Sequence, residues 1–272
     1  GAAEMPVLHA VAGVEPGVVP PARALRLNLD RCPGRQAGGD PLPLLEARRP
    51  APGRSVAAME RAASRLSPHL AWGSISMAEA AAVPGLRRAL AMRAAAMRET
   101  STRPEHGNPL PDGWIRGETG LPFADACLRY LAVTGWLPAP LREMVASVAA
   151  HLLGSGQGAA GHALARALTD FDPALLWQGM AAVRPCNPVV MGQRLDPQGA
   201  FLRRWLPELA PVPDAHLHMP WRWDGAKSLL GRRYPEPMAD PASALRGLRP
   251  PVTQRSMPRR RVEIPGQLAL AF

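Results

Sequence analysis

The chain has 272 residues and a formal net charge of +10, from 32 Lys+Arg against 22 Asp+Glu. Apolar residues make up 47% and charged ones 20%, enough for a packed core, while Pro (32) and Gly (25) imply long irregular stretches. No run approaches the ~18 apolar residues of a membrane span, and three scattered cysteines (Cys32, Cys127, Cys186) exclude a disulfide framework or zinc cluster and point to a reducing cytoplasm.

Residues 1–57 hold Pro at 6, 16, 20, 21, 33, 41, 43, 50 and 52 and read as a Pro-rich linker or partly ordered arm. As given, they lack the basic start and apolar core of a secretory signal. Only Pro21–Asp30 has the pattern of a strand or helical turn.

Residues 58–248 read as one helical domain. Ala58–Leu66 and Ser76–Ala82 are short and Ala-rich, and Leu86–Glu99 is a plain helix. Pro122–Leu131 opens on Pro and is followed by Gly135. Leu141–Leu153 repeats apolar residues at three- and four-residue spacing and stops at Gly154-Ser-Gly156. His162–Leu168, Ala174–Met180 and Ala200–Trp205 follow. Nothing alternates with period two for long, so the fold class is all-α.

Residues 249–272 read as a basic flexible tail, with Arg249, Arg255, Arg259, Arg260 and Arg261 against Glu263. Arg259–Arg261 are its candidate DNA contacts. Lys227 is the sole lysine, so the arginine richness looks like codon bias, and the positive balance permits a polyanion partner without proving one.

Three ordered blocks stand out. One is Ser64-Arg-Leu-Ser-Pro-His-Leu-Ala-Trp-Gly-Ser-Ile-Ser76. Another runs from Trp114-Ile-Arg-Gly-Glu-Thr-Gly-Leu-Pro-Phe-Ala-Asp-Ala126 through Gly135-Trp136 to Leu141–Ser147. The last comprises Leu168–Asp172, Asn187-Pro188, Leu195–Gly199 and Trp205–Leu209. In this order they resemble the C-terminal FAD-binding domain of DNA photolyases and cryptochromes, over roughly residues 60–245. The family domain is all-helical. The residues given contain no α/β antenna half.

The resemblance implies FAD as cofactor. Its diphosphate needs amides, hydroxyls or a fixed cation, and Ser64, Arg65, Leu66 and Ser67 match the family segment that cradles it. The same residues also read as a helix N-cap. Arg142 matches the family arginine at the ring, and Asp170 and Asp172 its acidic pair. An Arg–Asp pair in a helical core must be mutually satisfied, so Arg142 is expected beside Asp170, with Asp172 accepting from the ring imide or the adenine. A buried salt bridge tying three helices together explains the same residues.

The departures cluster where chemistry is done. The family asparagine at flavin N5 falls on Leu176, which accepts no hydrogen bond. The photoreducing Trp chain falls partly on Gln157 and Met180; Trp177 is near in sequence but differs in direction on its helix. Substrate-facing positions fall on Ala139 and Met191, and the family's W-x-x-E-F-x-R helix is absent.

His216-Leu-His218 lacks a third metal ligand, so no metal is expected. Cys127 reads as core, and Trp221-Arg-Trp223 as packing. Gln267-Leu-Ala-Leu-Ala-Phe272 resembles the bacterial sliding-clamp-binding peptide, with Gln267 for a polar site and Leu268, Leu270 and Phe272 for an apolar groove. An apolar strand folding back on the domain would look the same. The expectation is a monomeric, cytoplasmic, FAD-binding flavoprotein associated with DNA, with light-dependent repair in doubt. The alternative is a photochemically inactive relative that docks the clamp.

Overall fold

The computed structural model describes residues 32–36, 38–47, 50–51, 53–83, 85–98 and 107–247, together with Val18, Pro20, Ala24 and Leu25. Among them there are helices and turns, and no strand beyond an isolated Leu230–Tyr234 bridge. The first helices are short: α1 (Leu42–Glu46), α2 (Val56–Ala62), α3 (Ser67–Ala71) and α4 (Met77–Ala80). Then come α5 (Arg87–Arg98), α6 (Asp112–Arg116), α7 (Pro122–Thr134) and α8 (Ala139–Ser147). They are followed by α9 (Gly156–Ala167), α10 (Pro173–Ala182), α11 (Pro188–Leu195) and α12 (Ala200–Trp205). Short 3₁₀ turns lead to α13 (Ala226–Leu229) and α14 (Pro241–Gly247).

Local chemistry explains where helices begin. Proline occupies the first turn of α3, α7, α8, α10 and α11, where its missing N–H costs no intrahelical bond. Ser55 and Asn187 cap α2 and α11, and Ser76 with Glu79 forms a reciprocal capping box on α4. The pattern over Leu141–Leu153 is not one α-helix. Beyond Ser147 the chain widens into a π-helical turn, Val148–Leu152.

Helix α7 is the axis of the bundle. Pro122 through Leu128 are all buried, as a helix that is apolar on every side must be. Helices α6, α8, α11 and α12 pack around it. Phe123, Leu131, Leu141, Met144, Leu164, Met180 and Leu202 belong to one large apolar cluster. Tyr130 meets Trp205 edge-on at 5.2 Å within it.

A second, smaller cluster holds Leu66, Ile75, Ala80, Val83 and Leu90, with Leu44 and Leu45 of α1 against it. It joins α3, α4 and α5 into a satellite of the main bundle.

The N-terminal arm is more than a linker. Gly34 N donates to Val133 O at 2.7 Å, the Cys32 thiol to the same carbonyl at 3.0 Å, and Arg35 Nη1 to Thr169 Oγ1 at 2.5 Å. These are polar contacts, two of them to backbone, which leave no hydrophobic period in the sequence. Gly135 ends α7 at φ +65°, and a Cβ there would sit 2.3 Å from Thr169 Oγ1. That close approach lets the arm, the end of α7 and the Thr169 loop converge.

Candidate functional site

The satellite meets the main bundle across polar contacts, although each is apolar inside. Trp136 Nε1 donates to Ser67 Oγ at 3.3 Å, and Trp72 Nε1 to Thr169 O at 2.8 Å. The Arg65 guanidinium lies 4.2 Å over the Trp136 ring. Gln36 Nε2 donates to Arg65 O at 2.9 Å. At the centre of the seam, Arg93 Nη2 pairs with Asp172 Oδ2 at 2.5 Å, and both side chains are 7% exposed.

The candidate residues line this seam from both sides. Ser64 and Arg65 form the turn between α2 and α3, where Ser64 Oγ accepts from Leu66 N at 3.3 Å. Arg65 has φ +57°, a left-handed backbone that a non-glycine residue holds at a cost of about 1–3 kcal/mol. Ser67 begins α3. The Leu66 side chain is 1% exposed in the satellite core, leaving only its backbone for a ligand.

On the opposite side, Arg142 Nη2 reaches both Asp170 oxygens, at 3.1 and 2.9 Å, and Leu137 O at 3.1 Å. This is the buried salt bridge that the sequence also allowed. Arg142 Nε is buried without a partner.

Asp172 has partners within the protein. One of its oxygens caps α10 by accepting from Leu175 N at 3.2 Å, and the other holds Arg93. Each Asp172 oxygen thus accepts one such bond and keeps further acceptor capacity. Leu176, one turn on, is buried in the main core, as is Met180. The ring of Trp177 meets His162 edge-on at 5.0 Å.

Arg93 escaped the sequence reading, which took α5 as plain. The signal was there: Leu90, Arg93 and Ala96 are the buried residues of α5, so a charge interrupts an apolar stripe. Gln36 and Trp72 gave no such signal, since one sits in the arm and the other is 77% exposed.

A cavity of about 230 Å³ opens at one end of the seam, lined by Gln36, Gly38, Pro68, His69, Trp72, Ser74 and Thr169.

The motif around Asp125 is structural. Its carboxylate is fully buried and accepts from Thr119 N, Thr119 Oγ1, Gly120 N and the Tyr234 hydroxyl. Burial pushes its pKa up to about 6, against the opposing pull of those donors. Asp196 does similar work, accepting from Phe201 N at 3.1 Å and Leu202 N at 3.0 Å to start α12. His218 Nε2 lies 2.9 Å from Asp196 O, and burial lowers its pKa.

Burial pushes the Cys127 thiol well up. Among the described residues, no group of three His, Cys, Asp or Glu is placed to hold a metal, and no helix is long and apolar enough to cross a membrane. Arg259–Arg261 and Gln267–Phe272 lie outside the described residues, as does most of Pro21–Asp30.

Fold and seam together define a helical domain with a ligand-type junction between two cores. The family described as the FAD binding domain of DNA photolyase matches residues 66–249. A deoxyribodipyrimidine photo-lyase from Streptomyces griseus is 33% identical over 216 residues, covering 67% of this chain and 47% of the relative. Cryptochrome-1 of Aedes aegypti is 34% identical, over 50% of this chain and 28% of its own. An archaeal photolyase from Sulfolobus tokodaii, solved with two FAD molecules, superposes with a TM-score of 0.64 and 26% identity, over 76% of this chain and 54% of that one. The chain belongs to the photolyase/cryptochrome family, through its FAD-binding domain. It spans about half the length, or less, of these relatives.

The seam residues fit that cofactor in their donor chemistry. Arg142 Nε is a buried donor lacking an acceptor, Ser64 and Ser67 bring two hydroxyls to the turn, and Trp136 offers an apolar plane.

Proposed function

We propose that this chain is a FAD-binding flavoprotein that works on DNA, acting as a monomer in the cytoplasm. One observation carries the reading. Across a polar seam between two apolar cores, Ser67 and Arg65 meet Trp136, Trp72 meets Thr169, and Arg93 meets Asp172, beside the Arg142–Asp170 pair. Polar residues gathered at a junction of cores are poor glue and good ligand contacts.

Ser64, Ser67 and the amides of their turn would hold the diphosphate, with Arg65 as the nearby cation. Arg142, fixed by Asp170, would hold the ring's polar edge, and Asp172 would accept from an N–H of the ring or adenine. FAD supplies one-electron and light-driven redox chemistry when bound. Leu176 would give the ring an apolar neighbour that exchanges no proton, and neither Gln157 nor Met180 relays an electron well. Dimer repair in this family means flipping a damaged pair into a cavity over the flavin, and Ala139 and Met191 offer that pair no hydrogen bond. DNA binding with weak photorepair therefore suits this chain better than efficient repair.

The test is to add FAD to the purified full chain and record absorption and tryptophan fluorescence. One flavin per chain with quenched fluorescence is the expected result. A protein that stays colourless and unchanged at high FAD concentration would overturn the reading.

A second reading rests on the last six residues, which fit an extended peptide with Gln267 in a polar site and Leu268, Leu270 and Phe272 in an apolar groove. It proposes docking on the bacterial sliding clamp, with Arg259–Arg261 adding DNA contacts. Clamp pull-down that survives deletion of Gln267–Phe272 refutes it.

A further inference from the structure

We infer that the cavity beside Trp72 is a binding site for a nucleobase, separate from the residues proposed to hold FAD. None of those residues lines it.

Its volume, about 230 Å³, is many times the ~10–15 Å³ that one water needs, so it has room for an organic group. Among the described residues, no Lys, Arg, Asp or Glu lines it. A charged group entering would shed water and meet no opposite charge inside, so a neutral one suits it. A cation stands next to the cavity, however. Arg35 Nη1 donates to Thr169 Oγ1, a wall residue, at 2.5 Å. A neutral hollow beside a fixed cation fits a ligand with an uncharged head and an anionic tail.

Trp72 asks for a flat head. Its ring is 77% exposed, yet it is held in place, because Nε1 donates to Thr169 O at 2.8 Å. That bond uses the only donor an indole has and leaves the ring face for contact. A pinned, exposed indole is a stacking platform that loses little further freedom when a ring settles on it.

Gln36 asks for a head that donates a hydrogen bond. Its Nε2 donates to Arg65 O at 2.9 Å, which fixes the two ends of the amide. Oε1 is therefore an acceptor, and it is buried with no donor. That is a cost to the folded chain which a ligand N–H removes. Ser74 and His69 add a hydroxyl and an imidazole to the same walls, each able to donate or accept. A flat, neutral ring with an N–H on its edge and a phosphate on its tail is a nucleobase, taken either from a free nucleotide or from an unstacked position in a single strand.

The experiment titrates the full chain with thymidine 5′-monophosphate by calorimetry, with deoxyribose 5-phosphate as the base-free control. A short oligothymidylate is titrated in parallel at raised salt, where phosphate contacts contribute least. The variants are Trp72→Ala, Trp72→Phe, Gln36→Leu and Gly38→Leu. A Cβ on Gly38 meets nothing within 4 Å, so leucine there has space to occupy the hollow without displacing a neighbour.

Thymidylate is expected to bind and the base-free sugar phosphate is not. Trp72→Ala should weaken binding about tenfold, the worth of stacking on one aromatic ring. Trp72→Phe should keep most of it, although it too loses the bond to Thr169 O, which separates stacking from a merely structural role. Gln36→Leu and Gly38→Leu should each weaken it several-fold. Oligothymidylate binding that depends on Trp72, without binding of the free nucleotide, sustains the inference and assigns the base to a single strand. Binding of neither ligand, or binding indifferent to Trp72→Ala and Gly38→Leu, overturns it.

Discussion

Replacing Asp125 with Asn tests whether the motif after Trp114 is a staple. The carboxylate collects four donors: Thr119 N at 2.8 Å and Thr119 Oγ1 at 2.6 Å on one oxygen, Gly120 N at 3.0 Å and the Tyr234 hydroxyl at 2.5 Å on the other. An amide nitrogen in place of either oxygen faces two of those donors. A hydroxyl can rotate to accept from it, but a backbone N–H cannot, so at least one buried N–H is orphaned. That costs about 1–3 kcal/mol, and losing the charge-assisted bonds adds to it, for a total of about 2–4 kcal/mol. With typical urea slopes, the denaturation midpoint should fall by about 1 M at unchanged slope. The pH dependence adds an independent check. The folded pKa of about 6 lies above the ordinary 3.8, because burial disfavours the charge. Between those values the folded chain keeps a proton that the unfolded chain has released. Stability from this group is therefore fullest below about pH 4 and falls as pH rises to about 6, by roughly 3 kcal/mol. In Asp125→Asn that fall disappears. A midpoint unmoved by the substitution, with the same pH slope, would refute the staple.

Arg142→Met strands Asp170, whose side chain is 4% exposed. It should cost about 2–3 kcal/mol in thermal melts, while the double change with Asp170→Asn recovers most of it; a double variant no better than the single would contradict this. His218 is buried with its pKa lowered, so an unfolded chain takes up a proton that the folded one refuses. Stability from this group is lost as pH drops through the unfolded value of 6.5, and melts of His218→Gln should be flatter between about pH 7 and pH 5. Gly120 has φ +75° and its Cβ would sit 2.3 Å from Glu236 O, so Gly120→Ala should lose at least about 2 kcal/mol by circular dichroism melts. Hydrogen exchange should reach Leu90–Ala96 of α5 well before Phe123–Leu131 of α7, because the satellite core is much the smaller.

The fold was legible wherever a helix carries its own punctuation. Pro122 and Gly135 bracket α7, and the spacing from Leu141 onward marks α8. The π-helical turn after Ser147 was not legible, because a ring one residue wider leaves the apolar pattern nearly unchanged. Helix α6 is five residues long, too short for any period to emerge. At the site, Arg142 with Asp170 could be foreseen from the cost of burying either alone. Arg93 with Asp172 could not, since nothing in sequence links two charges 79 residues apart. For the arm the sequence left linker and partly ordered arm open, because its contacts run through Gly34 N, the Cys32 thiol and the Arg35 guanidinium, none of which repeats.

The motifs that carry the resemblance and the positions that depart from it do different physical work. Asp125 ties the Thr119–Gly120 turn to Tyr234, Asn187 caps α11, and Asp196 caps α12. Each satisfies buried or terminal backbone amides, and a helical bundle of this connectivity needs that with or without a ligand. Leu176, Gln157 and Met180 are under no such demand, because any side chain that fills its share of the core or caps nothing will fold there. A chain can keep every staple while such positions change. Family membership therefore constrains the scaffold tightly and the chemistry loosely, and the polar seam is where the two requirements meet. There Trp136, Asp170 and Arg93 give Ser67, Arg142 and Asp172 each a partner. Such pairing lets polar side chains sit between two apolar cores at little cost to folding.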